Sequence, residues 1–169
     1  MKKLILGILA VLLSVLAQTV LLPRLLPLSW RPDVYVAGIV AAALTGGWLR
    51  AGAYALCCGL ISDVLLGAFV GAEAMACFLT ALLVGAVYEK PFAKSWAFAA
   101  GAAFVARVAK EVVYVLVLEL FGIETSFFSV LFTALLPSAL LTAALCLPLW
   151  FLCRRGAARG AVRHRAHYD

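Results

Sequence analysis

Apolar runs close to a membrane width in length, separated by short polar or proline-bearing breaks, make up nearly the whole chain. A bilayer core of about 30 Å needs roughly 20 such residues in a helix. The first run, Leu4 to Leu22, ends at Pro23, and the stretch from Pro23 to Pro32 has the composition of a connector. Five further runs follow, at about residues 33–48, 51–69, 72–88, 95–121 and 127–152. Continuous apolar segments, rather than alternating ones of about ten residues, predict helices and not a membrane β-barrel. The expectation is an all-α, polytopic membrane domain of six transmembrane helices over residues 1–153. Pro137 and Pro148 are expected to kink the sixth span. Residues 154–169 read as a loosely ordered basic tail. Val15-x-Ala17 fits a signal-peptidase site, but the apolar run continues past it to Leu22, which favours an uncleaved first helix.

Composition agrees with the pattern. Hydrophobic residues make up 66% of the 169, and mean hydropathy is +1.11. A soluble domain of this size has no interior large enough for that much apolar surface. The net charge of +6 would suggest nucleic acid in a soluble protein. Here the basic residues sit at the ends of runs, so orientation explains them and no nucleic-acid partner is expected. With a cytoplasmic N-terminus, Lys2, Lys3, Arg50, Lys90, Lys94, Arg154, Arg155, Arg159, Arg163 and Arg165 fall inside, against Arg24 and Arg31 outside. This asymmetry predicts that both termini are cytoplasmic. The arginines of the tail also suit anionic lipid headgroups, at about 1 kcal/mol each near the surface.

Against this background the polar residues inside runs stand out. Asp63 lies in Gly59-Leu60-Ile61-Ser62-Asp63-Val64-Leu65-Leu66-Gly67-Ala68-Phe69-Val70-Gly71, a lone carboxylate among three glycines. A charge at that depth costs at least a few kcal/mol and calls for a partner or a polar surrounding. A position near a helix end beside a glycine turn is an equally good account. Arg107, Lys110 and Glu111 are three and four apart in the fifth run, hence on one helical face. Arg107 and Glu111 have the spacing to pair along their own helix. Counting from the inner ends of the third and fifth spans puts Asp63 and Arg107 at similar depth, so these two are the expected interhelical pair, with Lys110 as the alternative. Gln18 and Thr19 close the first run, where they reach either a neighbouring helix or the headgroups. Arg31-Pro32-Asp33 opens the second: proline suits a first helical turn and Asp33 suits the N-terminal dipole.

Catalytic chemistry is not evident. Cys57, Cys58, Cys77, Cys146 and Cys153 lie in or against apolar runs without metal-ligand spacing, and both histidines, His164 and His167, are in the tail. Ser62 and Ser138 have no activating base. The expectation is a protein that is not an enzyme and needs no cofactor or metal. The buried charges then either mark a substrate or ion path or lock helices together.

The order of these motifs resembles the rod shape-determining MreD family. The resemblance rests on a lysine-led first span with Gln18 and Pro23, on Arg31-Pro32-Asp33, and on Gly59-x-x-x-Asp63-x-x-x-Gly67-x-x-x-Gly71. Pro148 in the last span and a short basic tail extend it over nearly the whole chain. It implies a bacterial cytoplasmic-membrane scaffold that binds the single-span protein MreC, indirectly linked to MreB, RodA and a class B penicillin-binding protein in lateral peptidoglycan synthesis. Arg31, Pro32, Asp33, Gly59, Gly67 and Gly71 are then candidate partner-contact residues. The family's fold resembles the S components of energy-coupling-factor transporters, so a substrate-binding subunit of a vitamin transporter is the alternative. The crowded Arg107-Lys110-Glu111 cluster departs from the family pattern.

Overall fold

The computed structural model describes residues 2–27, 30–66, 71–86, 95–120, 122 and 135–165. Every regular element among them is helical. Helix α1 (Lys2–Leu16) continues through a π-helical turn (Ala17–Leu21) into α2 (Leu22–Leu25). It is followed by α3 (Val34–Gly46), α4 (Trp48–Leu66), α5 (Ala72–Gly85), α6 (Trp96–Leu120) and α7 (Leu136–Arg165).

Among the described residues, three stretches are long and apolar enough to cross a membrane: Ile5–Leu25, Trp48–Leu66 and Leu136–Arg154. These apolar helices mark the protein as membrane-embedded. Their outer faces agree, since Ile5, Leu6, Leu9, Leu12, Leu13 and Leu16 all point outward on α1. The other helices fall outside that group for different reasons. α6 has the length but carries Arg107, Lys110, Glu111 and Glu119. α3 and α5 have 13 and 14 residues, which is only about 20 Å at 1.5 Å per residue.

Two boundaries differ from the sequence expectation. The first helix does not stop at Pro23, which takes the second position of α2. The π turn just before it widens the ladder where proline has no N–H to give. Arg31 then closes the far end, its Nε donating to the Leu26 carbonyl at 3.1 Å and a terminal nitrogen to Pro23 at 3.4 Å. At the other end of the chain, the backbone of the tail continues α7 to Arg165. Nothing after Pro148 breaks it, and the Ala and Arg of this segment are strong helix formers. Pro137 sits in the first turn of α7, where its missing donor is not needed, so only Pro148 is inside the helix. The first part of the predicted sixth span, the loop at 89–94 and Gly67 lie outside the described residues.

α3 is the centre of the bundle and packs on α1, α4, α5, α6 and α7. Its sequence is apolar all round, the pattern of a helix with no outward face. Tyr35, Val36, Ala37, Ile39, Val40, Ala41, Ala43 and Leu44 are all buried. Gly47 alone separates α3 from α4. Its φ of 84° is a left-handed value that favours glycine, and it lets the chain reverse in one residue. α4 and α5 then lie antiparallel at close range. A Cβ at Gly59 would collide with the Ala74 backbone, and one at Gly85 with Trp48. These contacts at the two ends of the pair bring the backbones together, as small residues do between membrane helices. Tyr54 of α4 covers Gly38 of α3 and donates its hydroxyl proton to Ser14 of α1.

The Gly59 contact predicts that Gly59→Val forces α4 and α5 apart and lowers stability by about 1–3 kcal/mol. Gly101, where a Cβ would meet nothing within 4 Å, should accept alanine without loss. Melting temperature and monodisperse yield of the detergent-solubilised variants check both.

Candidate functional site

The polar residues singled out in the sequence gather at one level, where α3, α5 and α7 begin and α4 ends. At 1.5 Å per residue, Asp33 is about 20 Å from the Gly47 turn, Lys110 about 21 Å from Trp96, and Asp63 about 22 Å from Trp48. The level is set by the short α3. Its N-terminus ends inside the bundle, so its free N–H groups must find partners away from water.

Partners are in place for the N–H groups of Asp33, Val34 and Val36. The Val34 N–H donates to Gln18 Oε1 at 2.9 Å. Asp33 is the N-cap, accepting from the Val36 N–H at 3.1 Å through Oδ1. The N–H of Asp33 donates to Thr142 Oγ1 at 2.8 Å, and Thr142 in turn donates to the Ser138 carbonyl at 2.7 Å. The second carboxylate oxygen of Asp33 receives Lys110 Nζ at 2.6 Å, with both side chains about 5% exposed. Lys110 also donates to Glu73 Oε1 at 2.5 Å, which carries the link to the first turn of α5. Its ammonium lies 5.4 Å from the centre of the Tyr35 ring. The Tyr35 hydroxyl is buried near Ser62 but makes no hydrogen bond of acceptable geometry.

Arg107 joins the same network from one turn away. It pairs with Glu111 along α6 and donates from Nε to Ser138 Oγ at 3.3 Å. Ser138 passes its own proton to the Arg31 carbonyl at 2.7 Å. Arg107 faces Asp33 at 3.9 Å, close enough for attraction but not for a hydrogen bond.

Asp63 plays a different part. The expected pair with Arg107 is not formed, and neither is the alternative with Lys110. Asp63 instead accepts from three backbone N–H groups at the start of α5: Gly71 at 2.8 Å, Glu73 at 3.2 Å and Ala74 at 3.2 Å. Gly71, with φ of 105°, turns the chain so that these donors converge on it. The carboxylate sits on the positive end of the α5 dipole and needs no side-chain cation. Equal depth suggested a partner, but depth does not say which way a side chain points.

The sequence reading kept Asp33 as a cap and a motif residue; Glu73 and Thr142 were not in its polar set, and Ser138 entered only as a serine without an activating base. Ser138 and Thr142 carry a recognisable signal, being polar at i,i+4 in an apolar helix. Glu73 does as well, as an acidic residue in a first helical turn. Their convergence on Lys110 depends on helices far apart in the chain. Comparison with protein-family models, curated proteins and solved structures gives no match. What the site can do is therefore argued from its own chemistry. The cations are held between carboxylates, and the π turn after α1 and the helices from α2 to α7 are each tied to this level by at least one polar contact. That is the chemistry of a lock between helices.

Breaking the central pair from one side should cost about 3–5 kcal/mol, because a buried charge is left alone. Lys110→Met is thus expected to lower the melting temperature steeply, and Asp33→Asn in the same chain to recover part of the loss. Asp63→Ala and Arg107→Ala, by contrast, should be additive to within about 0.5 kcal/mol, since they share no contact. A double-mutant cycle on thermal stability measures the coupling.

Proposed function

We propose that this protein is a non-enzymatic scaffold of the bacterial cytoplasmic membrane, of the kind the MreD-like motifs imply. It would bind an MreC-like single-span protein and help control lateral peptidoglycan synthesis and cell shape. The observation that carries this reading is where the motifs meet. Gln18, Arg31-Pro32-Asp33 and Gly59-Asp63-Gly71 are far apart in the chain, yet they are joined through Lys110 and Glu73 at one end of the bundle. Their charges are met inside the bundle, Asp33 by Lys110 and Asp63 and Arg31 by backbone groups, which suits a rigid surface better than a site that must release a solute. Two apolar grooves lie on the outside of helices, about 550 Å³ between α5 and α6 and about 260 Å³ along α1 and the π turn after it.

In this reading the chain crosses the membrane six times with both termini in the cytoplasm. The short α3 and α5 are sheltered by the longer helices around them, and the locked end faces outward. The charge asymmetry of the connectors supports that orientation. Residues of the Arg31-Pro32-Asp33 turn are then on the side where cell-wall synthesis takes place.

Reporter fusions after Arg50 and Lys94 should give cytoplasmic signals, and fusions near Arg24, Glu73 and Glu124 external ones. Depletion in the parent bacterium should round up rod-shaped cells without loss of solute uptake, and the tagged protein should retain an MreC-like partner on affinity purification. Unchanged shape together with a new vitamin requirement would replace the scaffold with a transporter subunit.

A further inference from the structure

Beyond the bundle, α7 keeps going. It begins at the locked end with Ser138 and Thr142 and runs the other way, meeting the Ala99 carbonyl through Cys146, one turn from Trp96. The exposed rings of Trp48 and Trp96 place the membrane boundary at this end. The apolar stretch of α7 stops here at Arg154, whose guanidinium covers the Trp150 ring at 5.1 Å. The helix itself runs on to Arg165, about 16 Å further at 1.5 Å per residue.

That continuation changes what the basic residues can reach. Arg159 is about 7 Å past Arg154 along the axis, and Arg163 about 13 Å. The headgroup layer outside the hydrocarbon is only about 5–8 Å thick. A tilt of as much as about 40° shortens these heights by roughly a quarter. Arg154 and Arg155 therefore stand among headgroups, Arg159 at their outer edge, and Arg163 clear of them. Past that edge, salt screens attraction to the membrane within about 8 Å.

Positions 155, 159 and 163 are all arginine, and steps of four put them in one row of the helix, about 6 Å apart. Like charges one turn apart oppose each other, and no carboxylate of the bundle is near enough to relieve them. Among the described residues, Asp33, Asp63 and Glu73 are at the locked end, and Glu111 and Glu119 are at or beyond that level on α6. The complementary charge has to come from another molecule. Gly156 and Gly160 each follow an arginine of the row, so the adjoining row has no side chain to hold a second helix away.

We propose that residues 155–163 of α7 are a docking surface for an acidic helical segment of another protein, with carboxylates at four-residue spacing that match Arg155, Arg159 and Arg163. A helix repeats at the same 6 Å step as the row, whereas mobile lipid headgroups have no fixed spacing and lie below its far end. The surface depends on membrane embedding alone and stands whether or not the scaffold reading does.

The test is fluorescence anisotropy on the full chain in phosphatidylcholine nanodiscs. The probes are two labelled alanine-based peptides of equal composition, one with glutamate at every fourth position and one with its glutamates gathered at an end. The spaced peptide should bind about tenfold tighter, as three exposed ion pairs in register allow, and raising the salt should reduce the difference. Arg159→Gln together with Arg163→Gln should remove it. Ala158→Pro keeps every charge but breaks the row, and should remove it too. Both variants lie outside the membrane bundle, so the melting temperature should not change. Equal binding of the two peptides, or binding of neither, would overturn the proposal, as would a preference that survives Ala158→Pro. Loss of the preference on adding phosphatidylglycerol would also overturn it, the arginines then belonging to the membrane surface.

Discussion

A lysine ammonium held 2.6 Å from an aspartate carboxylate, both sealed from solvent, is the interaction on which the rest of this bundle depends. Taking either charge alone into a low-dielectric interior costs several kcal/mol, so neither Asp33 nor Lys110 tolerates the loss of the other. The pair does more than neutralise itself. Asp33 is also the cap of α3, so the same carboxylate satisfies an orphan backbone donor and a buried cation. One small slip of α6 along α3 would part Lys110 from this carboxylate and leave two buried charges unmet. Apolar helices slide past one another with little change in energy, and a buried polar contact of this kind gives them a single register.

The short central helix explains why the charges are where they are. α3 turns tightly at Gly47 and has 13 residues, so its other end stops inside the bundle, below the tops of its longer neighbours. A buried helix start is an electrostatic demand: positive partial charge and unpaired N–H groups, away from water. Gln18, Asp33 and Thr142 answer it from three directions. α5 begins at the same level and is answered by Asp63 from α4. Two capped helix starts side by side, bridged by Lys110, make one end of the molecule polar and rigid. The opposite end of the bundle is closed by the Gly47 turn and by Trp48 packed over Gly85. This difference makes the two ends of the bundle chemically distinct.

Membrane embedding and helical class could both be read from the chain alone, because they follow from local properties. An unbroken apolar run of membrane length must satisfy its own backbone, and only a helix does that within one segment. The Arg107–Glu111 pair is local in the same sense, since four residues bring two side chains to one face of a helix.

The identity of each charge's partner was decided elsewhere. Asp63 and Arg107 lie at matching depth, yet Asp63 turns to the α5 backbone and Arg107 to Glu111, Ser138 and Asp33. Depth follows from counting along one helix, whereas facing depends on how two helices are rotated against each other. That rotation comes from contacts such as Gly59 on Ala74 and Tyr54 on Gly38, between residues the chain keeps well apart. The sequence by itself determined that these charges are buried and must be met. Only the packing of α3 among five neighbours chose Asp33 to meet Lys110, because burial is a property of a segment and pairing is a property of an arrangement.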